Sequence, residues 1–178
     1  MRIIGGTFKG KKILEPKDIK TRPLKDLTKE SIFNILNHSN KFKIDLEDSS
    51  ILDLFSGVGS FGIECLSRGV KSVIFIENYN GVLPVLKKNL QNLKAIENYK
   101  IIEKDINNGK IFETLDKKFD IVFMDPPYKD KNLNLLLQNL EHIKILNKNG
   151  IVVIHRHKNE QDMIPKNFRV IEEKRYGL

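Results

Sequence analysis

Asp53-Leu54-Phe55-Ser56-Gly57-Val58-Gly59-Ser60-Phe61-Gly62 is the stretch that decides the fold, because it joins an apolar segment (50–55) to a segment of helical character that ends near Gly69. Gly57 and Gly59 let the backbone turn sharply and come close to a ligand. The helix that follows presents free N–H groups in its first turn. The pattern G-x-G-x-x-G therefore predicts a strand–loop–helix unit that binds either a dinucleotide or S-adenosylmethionine.

Apolar segments alternate with helical ones from this stretch onward. We predict strands at 50–55, 73–76, 99–102, 119–124 and 151–154, and helices at 28–38, from the glycine loop to Gly69, at 80–95 and at 131–143. Strands that alternate with helices of this length predict an α/β fold, with a parallel sheet and right-handed crossovers. Ligands of such sheets bind beyond the carboxyl ends of the strands.

Acidic residues stand at four of these strand ends, namely Asp53, Glu77, Asp105 and Asp125, and we expect them to converge on one crevice. A carboxylate at Asp53 would repel a pyrophosphate but can reach the cationic methionine end of S-adenosylmethionine. Glu77 can hold ribose hydroxyls with either ligand. Asp105 can accept a hydrogen bond from the adenine amino group, so the set favours S-adenosylmethionine, with no metal.

The sequence Asp125-Pro126-Pro127-Tyr128 follows the fourth predicted strand. Consecutive prolines lack N–H groups and adopt extended or turn backbone, which leaves nearby carbonyls free to accept hydrogen bonds. The amine of a nucleic-acid base is a poor nucleophile, and acceptors at Asp125 and Pro126 can direct its lone pair at a methyl group. Tyr128 offers a stacking face worth about 1–3 kcal/mol. Alone, the motif would indicate only a turn; after strand four it predicts a catalytic site for an unstacked base.

The composition fits a single domain of 178 residues with a net charge of +8. Residues 1–30 hold nine basic and four acidic side chains, a net +5 of that total. This asymmetry favours a polyanionic partner, although a solvated lysine-rich surface would look the same. No apolar run reaches the ~20 residues of a membrane span. The lone Cys65 reads as a small buried hydrophobe, and four histidines beside it predict no metal cluster; we expect a cytoplasmic protein.

The chain resembles the bacterial 16S rRNA guanine-N2 methyltransferases of the RsmD family over nearly its whole length. The matching segments are Met1-Arg2-Ile3-Ile4-Gly5-Gly6, Lys9-Gly10-Lys11-Lys12, Arg22-Pro23, Lys29-Glu30-Ser31-Ile32-Phe33-Asn34-Ile35-Leu36, the glycine loop with 62–64 and 66–69, Asp125-Pro126-Pro127-Tyr128 and Lys174-Arg175-Tyr176-Gly177. The first and third segments are the more specific ones, because other amino-methyltransferases share the glycine loop and D-P-P-Y.

The resemblance implies a Rossmann-like S-adenosylmethionine-dependent methyltransferase fold, with a basic hairpin and loop extension at 1–27 before a methyltransferase domain at 28–178. It implies methylation of one guanine N2 in 16S rRNA, within the small ribosomal subunit or its assembly intermediate, by a monomer without a membrane partner. The implied catalytic residues are Asp125, Pro126, Pro127 and Tyr128; the cofactor residues are Asp53, Phe55, Gly57, Gly59, Gly62, Glu77 and Asp105; the RNA-binding residues are Arg2, Lys9, Lys11, Lys12, Arg22 and Lys29.

The sequence departs from the family pattern at a few positions. Leu24 stands where threonine is usual, and Lys29 where arginine is common. His155-Arg156-His157 replaces a stretch that commonly begins with glutamate; the histidines could contact RNA phosphate, but we favour histidines satisfied at a strand end. The chain ends at Leu178, where family members continue into a further strand.

Three other functions fit part of the pattern. An adenine-N6 methyltransferase would use D-P-P-Y equally well, although DNA enzymes of that kind carry a target-recognition region for which this chain has little room. A dinucleotide-dependent oxidoreductase would use the glycine loop but leave D-P-P-Y unexplained. A non-catalytic RNA-binding module would bind RNA without methyl transfer.

Overall fold

The computed structural model describes residues 1–16, 24–94, 96–127, 130–157 and 159–176. Its strands are β1 (Ser50–Leu54), β2 (Ser72–Ile76), β3 (Tyr99–Ile102), β4 (Phe119–Met124) and β5 (Leu146–Ile154). They form one sheet of order β3-β2-β1-β4-β5, in which every neighbouring pair is parallel. The predicted parallel α/β sheet is confirmed.

The helices are α1 (Asp26–His38), α2 (Ser60–Ser67), α3 (Leu83–Gln91), α4 (Lys110–Glu113) and α5 (Leu133–His142). Helix α1 begins two residues earlier than predicted, and α3 is shorter than the predicted 80–95. Helix α4 was not predicted, because four residues are too few to show a helical period. None of the described helices has the length and apolar character needed to cross a membrane.

Two apolar layers enclose the sheet. Ile51 and Ile121 pack in one cluster with side chains of α1, α2 and α3. Leu52 and Val122 point to the other face, where α4 and α5 cover them. This alternation is the two-residue period of a strand. By the same alternation Asp53 faces the first layer, so a carboxylate occupies a position that the fold otherwise gives to apolar side chains.

The predicted N-terminal hairpin is present as a short antiparallel pairing. Arg2 and Lys12 form a β-bridge, and Ile3 N–H donates to the Lys11 carbonyl at 2.9 Å. Ile3 and Ile13 are buried in the same cluster as α1 and α2. The pairing is therefore held in the core, and the proposed division at residue 27 stays a prediction.

Strand β5 begins earlier than predicted, at Leu146 instead of Ile151. Leu146 pairs with Phe119 and Ile151 with Ile121, so the register shifts between them. Asn149, with φ of 66°, lies within the irregularity. The sequence of residues 147–150 resembles a turn, and a bulged strand start looks the same in sequence.

Candidate active site

The candidate site lies where the order of the sheet reverses. From β1 the chain moves through β2 to β3, whereas β4 lies on the other side of β1 and leads to β5. Ligands of open α/β sheets bind at such a switch point, beyond the carboxyl ends of the strands. A cleft of about 1550 Å³ opens there. The predicted residues that line it are Asp53, Phe55, Gly57, Glu77, Asp105, Asp125, Pro126 and Pro127.

The glycine loop after β1 turns through three left-handed residues: Phe55 with φ of 57°, Gly57 with 54° and Gly59 with 84°. Glycine adopts this conformation freely, whereas at Phe55 it costs roughly 1–3 kcal/mol. A Cβ at Gly59 would lie 2.5 Å from a methyl group of Leu86. Gly59 therefore packs behind the cleft, and its lack of a side chain lets α2 approach α3.

Asp53 is buried, with 1% of its surface exposed. Its Oδ2 accepts a hydrogen bond from Gly62 N–H at 3.0 Å, and a Cβ at Gly62 would come within 2.9 Å of that oxygen. Its Oδ1 is buried and has no hydrogen-bond partner among the described residues. Burial raises the pKa of the Asp53 carboxyl well above its usual range, and the nearby charges of Asp125 and Glu77 raise it further, against the Gly62 hydrogen bond. Asp53 is thus a buried hydrogen-bond acceptor, and its Oδ1 is available to a ligand.

Glu77 is held by backbone amides at the end of β2. Its Oε2 accepts from Gly57 N–H at 2.7 Å, and its Oε1 accepts from the N–H groups of Asn78 and Tyr79 at 2.9 and 2.8 Å. A carboxylate has about four acceptor positions, so the fixed group can still accept hydrogens from a ligand. The Gly57 amide, which would face a phosphate in a dinucleotide site, faces this carboxylate instead.

Asp105 lies after β3 at the exposed edge of the cleft. Its Oδ1 accepts from Asn107 N–H at 2.9 Å, which orders the turn that follows. Ser56, which sequence reasoning did not single out, also lines the cleft, and its hydroxyl donates to the Asp53 carbonyl at 2.6 Å. The position of Ser56 inside the glycine loop could have indicated from the sequence that it lies at the site.

Asp125 and the two prolines follow β4 into the cleft. Pro126 is buried, whereas Pro127 is exposed and its carbonyl accepts from Asp130 N–H at 2.9 Å. The Oδ1 of Asp125 lies 2.9 Å from Nδ1 of His155, and its Oδ2 has no hydrogen-bond partner among the described residues. One oxygen of the proposed catalytic carboxylate is thus fixed and the other is available. The predicted stacking residue Tyr128 lies outside the described residues.

Arg156, which lies after β5, directs its hydrogen-bond donors to groups of the protein itself. Arg156 donates from Nε and Nη2 to both oxygens of Asp162, at 2.7 and 2.8 Å. It also donates to the carbonyls of Pro127, at 3.2 Å, and Asp130, at 2.9 Å. Of the two interpretations of the histidines in 155–157, the contact between His155 and Asp125 favours the satisfied strand end for His155. The strand-end rule that selected Asp125 could have selected His155 too, because both follow a carboxyl end.

One predicted RNA contact is wrong. Lys29 lies on α1 with none of its side chain exposed. Its Nζ donates to the Arg2 carbonyl at 2.6 Å and lies 3.7 Å from Glu64 Oε2, which also accepts from Ile4 N–H. Burial lowers the pKa of the ammonium, against the attraction of Glu64 and Asp26. Lys29 therefore anchors the N-terminal segment to the core and does not reach a ligand.

The other predicted RNA residues within the described chain are at the surface. Arg2, Lys9, Lys11 and Lys12 are exposed on the N-terminal pairing. Lys11 Nζ lies 4.6 Å from the centre of the Phe8 ring, a cation–π contact that leaves the ammonium in solvent. Arg22 lies outside the described residues.

The sheet order and the cleft beyond the strand ends define a Rossmann-like α/β fold, and the relatives described below show that the chain is a methyltransferase. The chain belongs, over residues 1–178, to the family described as Conserved hypothetical protein 95.

Relatives of known name cover almost the whole chain. Ribosomal RNA small subunit methyltransferase D of Haemophilus influenzae is 32% identical over 100% of this chain and 90% of its own. The protein of the same name from Escherichia coli K12 is 31% identical over 99% and 85%. The solved structure of yhhF from Escherichia coli superposes with a TM-score of 0.80 at 30% identity, covering 99% of this chain and 92% of that one.

Proposed function

We propose that the chain transfers a methyl group from S-adenosylmethionine to the exocyclic N2 amine of a guanine in 16S rRNA of the small ribosomal subunit. The observation that carries the proposal is the meeting of Asp53, Glu77 and Asp125 in one cleft, directly beside the two prolines. The relatives named small subunit methyltransferases support the RNA substrate. The resemblance drawn from the sequence supports guanine N2.

The cleft fits a cationic ligand. The unpaired, buried Oδ1 of Asp53 can accept a hydrogen bond from the ammonium of a methionine moiety. Glu77, fixed by three amides, retains acceptor positions for ribose hydroxyls. Asp105, at the cleft edge, can accept from the adenine amino group. A dinucleotide would instead bring a pyrophosphate to a group of carboxylates, so like charges disfavour it.

S-adenosylmethionine, when bound, would supply a methyl group on a sulfonium, and breaking that C–S bond would leave a neutral thioether. The chain's own part is to position the amine. The free Oδ2 of Asp125 accepts one amine hydrogen, and a carbonyl of the proline segment accepts the other, which points the nitrogen lone pair at the methyl carbon. The carboxylate also stabilises the positive charge that develops on nitrogen as the new bond forms, and its Oδ2 can then take the surplus amine proton and pass it to solvent. Alignment of this kind supplies much of the rate of an in-line displacement.

The decisive assay is transfer of labelled methyl from S-adenosylmethionine to unmodified small ribosomal subunits, followed by digestion to nucleosides. Label in N2-methylguanosine is the expected result. Label in N6-methyladenosine would keep a methyltransferase and reject guanine specificity. A folded protein that binds NAD but not S-adenosylmethionine would overturn the proposal.

Substitution of Asp125 tests its role in the same assay. We expect Asp125→Ala to abolish transfer, because it removes the acceptor that directs the amine, while the dissociation constant for S-adenosylmethionine changes little. The matched control is Asp116→Ala, an exposed acid before β4 and remote from the cleft. Equal rates for Asp125→Ala and the parent would refute the role of Asp125.

A further inference from the structure

We propose that His155 is a positioning residue for the methyl-transfer reaction, and that it holds the Asp125 carboxylate with one oxygen turned toward the target amine. The inference rests on the proposed function, because it assigns His155 a task within that reaction. It adds a residue that lies more than twenty-five positions after D-P-P-Y in sequence and beside it in space.

The backbone brings the two side chains together. His155 follows β5 directly, and its N–H donates to the Met124 carbonyl at 2.9 Å. This bond extends the pairing of β4 and β5 by one residue beyond Met124↔Ile154. Asp125 follows Met124, so both side chains leave the sheet at the same level. The sheet itself therefore sets the distance between imidazole and carboxylate.

The contact fixes the roles of its atoms. Nδ1 of His155 lies 2.9 Å from Oδ1 of Asp125, and their side chains are 28% and 18% exposed. A carboxylate only accepts hydrogen bonds, so the hydrogen sits on Nδ1. A charge-assisted bond of this kind restrains the rotation of the carboxylate. Oδ1 is thereby occupied, and Oδ2 remains for the substrate.

The other described charged groups near Asp125 are directed elsewhere. Asp53 lines the same cleft, but it is a second acid, and its Oδ2 accepts from Gly62 N–H. Arg156, the adjacent cation, is directed at Asp162 and at two backbone carbonyls. Among the described residues, His155 is the side chain that bonds to Asp125.

Three substitutions separate positioning from other roles. His155→Leu removes the donor; His155→Asn places an amide N–H where Nδ1 stands; His155→Gln places it one bond further out. We expect His155→Leu to lower kcat by roughly 10- to 100-fold, as for a misaligned group, with KM for S-adenosylmethionine and for the ribosomal subunit unchanged. We expect His155→Asn to recover most of kcat and His155→Gln to recover little.

Other outcomes overturn the inference. A kcat of His155→Leu equal to that of the parent would remove any role in the reaction. A raised KM for the subunit with an unchanged kcat would make His155 an RNA-phosphate contact instead. Equal losses in the Leu and Asn variants, both folded by circular dichroism, would show that the Nδ1 donor is irrelevant.

A second readout does not depend on activity. The nitrogen NMR shifts of the His155 ring report which nitrogen carries the hydrogen. We expect the Nδ1–H form in the parent and its disappearance in Asp125→Ala. If the parent methylates no nucleoside, the proposed function has failed, while this spectrum still decides whether His155 holds Asp125; an Nε2–H form in the parent would reject the contact itself.

Discussion

Asp53 is a residue at which ligand binding and stability oppose each other. Its carboxylate is buried with one oxygen unpaired, which costs stability in the free protein and serves a cationic ligand. We expect Asp53→Asn to raise the melting temperature by a few degrees, on the scale of about 2–4 °C per kcal/mol, because the amide keeps an acceptor for Gly62 and carries no charge. We expect the same substitution to weaken S-adenosylmethionine binding at least tenfold, as measured by calorimetric titration.

The difference in melting temperature between Asp53→Asn and the parent should depend on pH. Because the pKa of Asp53 is raised in the folded state, the folded protein holds this proton at pH values where the unfolded chain has released it. The parent therefore loses stability as the pH rises from the unfolded value of about 4 toward the folded value. The gap in melting temperature between Asp53→Asn and the parent should widen over that range. A gap that narrows would contradict the burial argument; Asp116→Asn, at an exposed acid, is the control.

Single residues also show which features of the site could be predicted from the sequence. Asp53 and Glu77 were predicted correctly as neighbours in the cleft, because the rule for parallel strands places every carboxyl end at one edge. Lys29 was placed with the surface lysines, although it stands one helical turn before the buried Ile32 and Phe33 of α1, and that spacing puts it on the apolar face. Its partner Glu64 lies 35 positions away on another helix, and no local pattern connects the two.

At the scale of elements, Arg156 joins the end of β5 to the segment that carries the two prolines. Its guanidinium bonds to the carbonyls of Pro127 and Asp130, while Asp162 fixes the other edge and raises the pKa of the group. We expect Arg156→Lys to lower kcat about tenfold, because an ammonium keeps the charge but loses the planar fork that reaches several acceptors at once. Amide hydrogen exchange should speed up in the peptide between β4 and α5.

The control for this prediction is Arg68→Lys, since Arg68 also pairs with a carboxylate, that of Glu64, but does not line the cleft. An equal drop in kcat in both variants would mean that removing a guanidinium matters wherever it stands. Unchanged hydrogen exchange between β4 and α5 in Arg156→Lys would show that the backbone there is held by other interactions.

Element boundaries were the least predictable feature. The central strands were found almost to the residue, because apolar runs covered on both faces have a strong pattern. The predicted strand at 151–154 was shorter than β5, because the Asn and Gly residues at the bulge normally indicate a turn. Helix α4 was missed because packing of Ile111 and Phe112 against α5 stabilises it, and its own sequence does not.

At the scale of the whole molecule, the fold fixes where the basic surface of the N-terminal pairing lies relative to the cleft. The exposed lysines of the N-terminal pairing (Lys9, Lys11 and Lys12) lie on an element whose isoleucines are packed in the α1–α2 layer, so their position is fixed relative to the cleft. Asn89 adds a direct link, because its side chain bonds to the backbone of Leu14 and to the Val58 carbonyl of the glycine loop. Net charge alone predicted a polyanionic partner; the fold shows which lysines form one surface.

We expect the affinity of that surface for RNA to depend on salt concentration. Replacing Lys9, Lys11 and Lys12 with glutamine should weaken RNA binding and reduce the slope of log affinity against log salt concentration by about 0.7–0.9 for each phosphate that the protein no longer neutralises. The control replaces Lys118, Lys144 and Lys148, exposed lysines near the amino ends of β4 and β5, and removes the same charge outside the N-terminal pairing. Both triple variants reduce the net charge equally, so a smaller slope in the first alone identifies phosphate binding at the N-terminal pairing. Equal changes in the two would assign the attraction to the overall charge of the protein, and the RNA path to the cleft would then have to be sought on another face.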